Sequence, residues 1–230
     1  MNKELKYILK MISCAPIYYK YKDRTMIPFR RYIENLSLIE TFIDDKVLKS
    51  GAIVECGTWR GGMSAGMIEI CGKDKSYYFL DSFEGLPEPK EIDGKRAFAW
   101  QADKESSGYY DNCSSSLELF KNTIDRTGIN HDNVTIIKGF YDKSFQTFES
   151  PKISVLRLDA DWYESTMLCL EKFWDHVVPG GIIIIDDYHV WEGCSRAVHD
   201  FLSKRQALER ISQGPLGRET FILKKLETRA

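Results

Sequence analysis

Two short stretches carry four aspartates that could act together: Arg157-Leu158-Asp159-Ala160-Asp161 and Ile185-Asp186-Asp187-Tyr188. Each closes a run of apolar, largely β-branched residues (153–158 and 182–185) that reads as a strand covered on both faces. In an open parallel sheet the carboxyl ends of the strands share one edge, and ligands bind there. Neighbouring strands lie about 4.8 Å apart, so if these two are neighbours Asp159 meets the Asp186–Asp187 pair. Carboxylates crowded against apolar strands repel one another; either some are protonated or a cation sits among them. Oxygen donors without a histidine or thiolate cluster suit Mg²⁺, or Mn²⁺ or Ca²⁺, rather than zinc. Separate turn caps at two strand ends are the plainer alternative.

A second constellation lies upstream. The run 52–56 enters Glu55-Cys56-Gly57-Thr58-Trp59-Arg60-Gly61-Gly62-Met63-Ser64 and then a helical pattern. Gly57 permits a sharp turn off the strand, and Gly61 and Gly62 permit close backbone approach at a helix N-terminus. The spacing is not GxGxxG, and a tight turn without a ligand reads equally well. The next strand ends Leu80-Asp81-Ser82-Phe83, placing an acid where it can accept from two ribose hydroxyls. Asp81 as a turn cap is the alternative.

The elements behind these residues alternate. Apolar runs at 52–56, 77–80, 134–137, 153–158 and 182–185 are separated by helical patterns near 63–70, 117–126, 166–176 and 195–204. That order predicts a doubly wound α/β fold with a parallel sheet. Segments 208–211 and 219–225 read as a closing antiparallel pair turned at Gly214-Pro215. Residues 1–50 form an N-terminal helical arm on the core at 51–230. Residues 87–116 are polar and rich in turn formers, yet hold Phe98, Trp100, Tyr109 and Tyr110. A loop this long suits a lid, with Trp100, Tyr109 or Tyr110 lining a pocket.

Composition narrows the partners. Lys+Arg (32) and Asp+Glu (34) nearly cancel with no single-sign block, so nucleic acid is excluded as a partner. Cysteines 14, 56, 71, 113, 169 and 194 show no ligand spacing, the usage of a reducing, cytoplasmic compartment. No apolar run reaches the roughly 18 residues of a transmembrane segment. The basic, aromatic stretch 18–22 reads as a solvated arm rather than a membrane contact.

The stretches 55–64, 80–87, 156–166 (LRLDADWYEST) and 186–196 (DDYHVWEGCSR), with 24–35 and 133–141, resemble the macrocin-type (TylF/MycF) O-methyltransferases, which include noviose methyltransferases. The resemblance spans most of the chain. It implies a Rossmann-like class I methyltransferase fold: a mostly parallel seven-stranded sheet, an N-terminal helical layer and a lid loop. It implies S-adenosyl-L-methionine as methyl donor and Mg²⁺ held by Asp159, Asp186 and Asp187, with Asp161 as general base. The donor-binding set is then Glu55, Gly57, Thr58, Ser64, Asp81, Ser82, Gly139, Phe140 and Asp159. The expected acceptor is a sugar hydroxyl of a glycoside, nucleotide-sugar or natural-product glycan. A catechol or other diol, or a non-catalytic nucleoside-binding role, are the alternatives. His189 is a rival base, and a homodimer is open. Two departures fall in the acceptor region: the lid has no match to the family, and Gly139 is followed by Phe140 where a tryptophan is frequent.

Overall fold

The apolar runs do form the strands. In the computed structural model, β1 (Ala52–Cys56), β2 (Tyr77–Asp81), β3 (Val134–Lys138), β4 (Ile153–Leu158) and β5 (Val177–Ile185) pair in parallel. Two antiparallel strands, β6 (Ile211–Gln213) and β7 (Thr220–Leu223), complete one seven-stranded sheet in the order β3-β2-β1-β4-β5-β7-β6. The structure describes residues 3–43 and 45–225; residues 1, 2 and 44 of the expected arm and 226–230 of the tail lie outside them.

Strand alternation sorts side chains onto two layers. Ile53, Val155, Ile182 and Ile184 join a core with α2 (Phe29–Phe42), α4 (Gly62–Cys71) and α6 (Leu117–Asp125). Val54, Cys56, Leu156, Leu158, Ile183 and Ile185 join the other, with α8 (Tyr163–Phe173) and α9 (Glu192–Lys204); α3 (Asp45–Leu48) and α7 (Tyr141–Ser144) are single turns before β1 and after β3. Burying each such Ile, Leu or Val contributes about 1.5–3 kcal/mol before chain entropy is charged. Register then aligns the edge. Cys56 pairs with both Leu80 and Leu158, and Leu158 with Ile185, so Gly57, Asp81, Asp159 and Asp186 emerge side by side. The strand order reverses about β1, where β2 and β4 depart to opposite sides, which is where such sheets bind ligands.

Two expectations change. The segment 87–116 is not a bare loop: it carries a 3₁₀ turn, Glu91–Asp93, and a nine-residue helix, α5 (Gly94–Ala102). The stretch 18–22 is not a solvated arm. It ends α1 (Lys3–Tyr21), where Tyr18 packs edge-on against Phe29 and Tyr32 and Tyr21 is fully buried, bonding Glu69. Tyr18 and Tyr21 thus gain from α2 and α4, while Tyr19, Lys20 and Lys22 stay exposed to water as expected.

All six cysteines are free, Cys113 half-buried and the rest buried. Among the described residues, no helix is long and apolar enough to cross a membrane.

Candidate active site

The turn after β1 is built around Asp81. Its Oδ2 accepts from the backbone N–H of Thr58 (2.7 Å) and Trp59 (2.8 Å), and its Oδ1 accepts from Phe83 N–H (2.7 Å). Gly57 (φ 83°) is obligatory there, because a Cβ would overlap the carbonyl oxygen of Asp159. Gly61 and Gly62 serve packing: a Cβ on Gly61 would press the Phe120 ring at 2.9 Å, and one on Gly62 the Arg24 carbonyl at 2.5 Å. Gly139 donates its N–H to the Asp81 carbonyl (2.9 Å), bringing the end of β3 to the same turn.

Beside this turn lies a buried charge network. Arg157 projects from β4 onto the α2 face, as does Glu55 from β1, and Arg157 is only 1% exposed. Its guanidinium reaches Glu55 (2.9 Å), Asp159 (2.9 Å), Asp186 (2.5 Å) and the Asn35 side-chain oxygen (3.2 Å). Arg31 grips the other oxygen of Asp186 (2.8 Å) and also Glu219 (2.8 Å). Burial raises the Asp186 carboxyl, but Arg157 and Arg31 outweigh it and hold it below the usual carboxylate range. Burial pushes Glu55 up to about 7, with Arg157 and the bonded Ser64 hydroxyl offsetting part of the rise.

The remaining acids converge in a different way. Asp159, Asp161 and Asp187 each bring a carboxylate oxygen within 4.8 Å of the others. Burial and then Asp159 push Asp161 up to about 8; burial, Asp161 and Asp159 hold Asp187 well above the usual carboxylate range. Burial and the neighbouring Asp186 raise Asp159 as well, against the pull of Arg157. Asp161 stands at φ 56°, a backbone conformation that aspartate tolerates better than most residues. Its Oδ1 accepts the Trp191 indole N–H at 2.8 Å.

These groups line one cavity of about 560 Å³, within the ~300–1,000 Å³ usual for small-molecule sites. Gly57, Thr58, Asp81, Ser82, Gly139 and Phe140 line it together with Asp159, Asp161, Asp186 and Asp187, and the lid adds Trp100 and Tyr110. Tyr109 instead packs on Trp100, its ring 5.2 Å away.

A model of the macrocin-O-methyltransferase (TylF) family matches residues 21–213. The chain belongs to this family. It is 31% identical over 194 residues to the 8-demethyl-8-(2,3-dimethoxy-alpha-L-rhamnosyl)-tetracenomycin-C 4'-O-methyltransferase of Streptomyces olivaceus, covering 82% of this chain and 71% of that one. It is 28% identical over 193 residues to the mycinamicin III 3''-O-methyltransferase of Micromonospora griseorubida, covering 81% and 73%. The demethyldecarbamoylnovobiocin O-methyltransferase of Streptomyces niveus is 31% identical over 189 residues, covering 78% and 68%. The fold is that of the O-methyltransferase NovP: TM-score 0.71 at 22% identity, over 97% of this chain and all of that one.

As a macrocin-type O-methyltransferase, the chain departs from its sequence-level expectations in three ways. Asp186 is drawn into the arginine network, while Asp161 stands with Asp159 and Asp187 in the acidic cluster. Asp81, expected to be free for a ribose, already caps the β1 turn, and its Oδ1 keeps the spare acceptor capacity. His189 turns to the closing hairpin, its Nε2 next to Thr220 Oγ1 (3.0 Å) and Gln213 Nε2 (3.2 Å), and it does not line the cavity. Sequence reasoning assigned no role to Arg31, Arg157 or Trp191. For Arg157 a signal existed: a lone guanidinium inside an apolar strand has to be paired.

Proposed function

We propose that the chain transfers the methyl group of S-adenosylmethionine to a sugar hydroxyl of a glycosylated small molecule, assisted by a divalent cation, Mg²⁺ foremost. The observation that carries this reading is the convergence of Asp159, Asp161 and Asp187 in the cavity that also holds the Gly57–Asp81 turn. The relatives' names support the acceptor class: that of the Streptomyces olivaceus enzyme specifies a rhamnosyl group.

The donor set fits such a cation. It is all oxygen, Arg157 reaches it at Asp159 and leaves Asp161 and Asp187 without a bonded cation, and the mutual repulsion of the three carboxylates would be relieved by a hard ion. Asp159 and Asp187 would hold it; Asp186 would join as third ligand through lone pairs that its arginine partners leave free. When bound, the cation polarises a hydroxyl and lowers its pKa. Asp161 accepts the hydroxyl proton as general base. Glu55 and the Thr58 turn hold the methyl donor, while Ser64, expected to touch it, is fully buried outside the cavity lining and acts through its hydroxyl's bond to Glu55; Asp81 Oδ1 is the acceptor left for a ribose hydroxyl. Trp100 and Tyr110 cover the cavity and keep water from the reacting groups.

The test is turnover of S-adenosylmethionine against p-nitrophenyl glycosides, nucleotide-sugars and catechol, with Mg²⁺ or excess chelator. A glycoside or nucleotide-sugar should be methylated, chelation should stop the reaction, and Mg²⁺ should restore it. Asp187→Asn should abolish Mg²⁺ binding by calorimetry, with Asp186→Asn weakening it less. Full activity in chelator overturns the cation, and methylation of catechol alone overturns the acceptor class.

A further inference from the structure

Three tryptophans meet beside Asp161: Trp162, which precedes α8; Trp191, which precedes α9; and Trp100 on the lid helix α5. Their ring centroids are 5.1 Å (162–191), 5.9 Å (100–191) and 6.1 Å (100–162) apart, each pair near edge-to-face. Their indole N–H groups are used differently. Trp162 donates to the Pro87 carbonyl (2.8 Å) at the root of the lid, and Trp100 to the Gly108 carbonyl (3.0 Å) within the lid itself. Trp191 alone among the three donates to a carboxylate, Oδ1 of Asp161.

We propose that Trp191 is a positioning residue for methyl transfer: its N–H fixes the rotamer of Asp161 and leaves the other carboxylate oxygen for the acceptor hydroxyl. This rests on the reading of Asp161 as the base. Asp161 stands in the left-handed region just past the end of β4, and the indole N–H of Trp191 is the side-chain donor that bonds its Oδ1. Trp191 is well placed to hold that bond. Only 8% exposed, it is anchored through its backbone N–H to the Asp187 carbonyl (3.0 Å) and buttressed by the two other indoles. The lid root is seated on the same two elements. Asp93 Oδ1 accepts Tyr163 N–H at 2.7 Å, and a Cβ on Gly193 would overlap that oxygen. A lid held in this way also holds Trp100 against Trp191.

The experiment uses the full chain with S-adenosylmethionine, Mg²⁺ and whichever acceptor of the panel above the wild type methylates. Trp191→Phe keeps the ring and removes the N–H. Expected is a fall in kcat of about tenfold, a part of the 10²–10⁴ a general base supplies. Acceptor KM and the Kd for S-adenosylmethionine should stay within about twofold, the split that marks a loss confined to the reacting geometry. Trp191→Leu, which removes the ring as well as the N–H, should lose at least as much kcat as Trp191→Phe. An unchanged kcat in Trp191→Phe, with Asp161→Asn inactive, overturns the proposal and leaves the base in place. Loss of kcat, KM, donor affinity and Tm together also overturns it, as a packing lesion. An active Asp161→Asn, or no acceptor turned over at all, sinks the underlying reading first.

Discussion

Arg157→Met is the most demanding perturbation of this fold. The side chain volume is nearly kept, but Glu55, Asp159 and Asp186 lose the guanidinium that joins them at 2.9, 2.9 and 2.5 Å. Arg31 still reaches Asp186, at 2.8 Å, so the uncompensated groups are chiefly Glu55 and Asp159. At an effective dielectric of about 20, an ion pair near 4 Å carries about 4 kcal/mol, and desolvation cancels much of it in the intact network. Removing one partner of a buried pair typically costs about 3–5 kcal/mol because the other charge stays buried. We expect that loss at about pH 8, a fall in Tm on the order of 10 °C for a chain of this size. It should shrink toward about pH 5, since the orphaned carboxyls can escape their penalty by protonation. The assay is urea unfolding of both proteins at the two pH values in chelator. A variant within about 1 kcal/mol of wild type at the higher pH would refute the view that these carboxylates depend on Arg157.

Two further outcomes follow from the same geometry. Asp81→Ala strands the N–H groups of Thr58, Trp59 and Phe83 and removes the spare Oδ1, so calorimetry should show S-adenosylmethionine binding weakened by about 1–3 kcal/mol; unchanged binding would remove Asp81 from the donor site. Glu55, at about 7 in the fold against 4.5 for the free side chain, binds its proton more tightly when folded. Its contribution is therefore fully present below the unfolded value and is lost as pH rises through about 7, a change on the order of 3 kcal/mol. In protein free of metal and donor, Glu55→Gln should flatten the stability–pH curve across that window, and parallel curves for the two proteins would contradict the assignment.

What could be read from the residues follows physical lines. Strands covered on both faces announce themselves as continuous apolar runs, and an acid closing such a run marks the ligand edge; Asp81, Asp159, Asp186 and Asp187 were found by that rule. The pairing across the edge was less visible. Nothing in the spacing says that Trp191 reaches Asp161, thirty residues upstream, or that Asn35 and Arg31 reach across from α2. The helix α5 hid among turn formers: Gly94 opens it, and only Ala97 in it is fully buried, so its apolar stripe is faint. Residues 18–22 misled for a related reason, because a basic aromatic stretch has the same composition whether it packs on a neighbour or meets water.

The two adjacent aspartates after β5 show how one backbone register can divide labour. Ile182 and Ile184 face the α2 layer, and Asp186 continues that parity, so it falls among Arg31, Arg157 and Asn35 and stays ionised. Ile183 and Ile185 face the α8–α9 layer, and Asp187, next in that series, accepts the Asp161 backbone N–H (3.3 Å) beside Asp159. Among the described residues no arginine bonds it, and its carboxyl is driven up by burial and by its neighbours. Both guanidiniums that serve Glu55, Asp159 and Glu219 thus also converge on Asp186, while Asp187 receives neither. A third arginine on the cavity side would satisfy Asp187 as well, but it would fill the space where an acceptor and an exogenous cation have to enter. The unsatisfied cluster is therefore the part of the site that depends on what binds, and Asp186 the part that holds its shape before anything does.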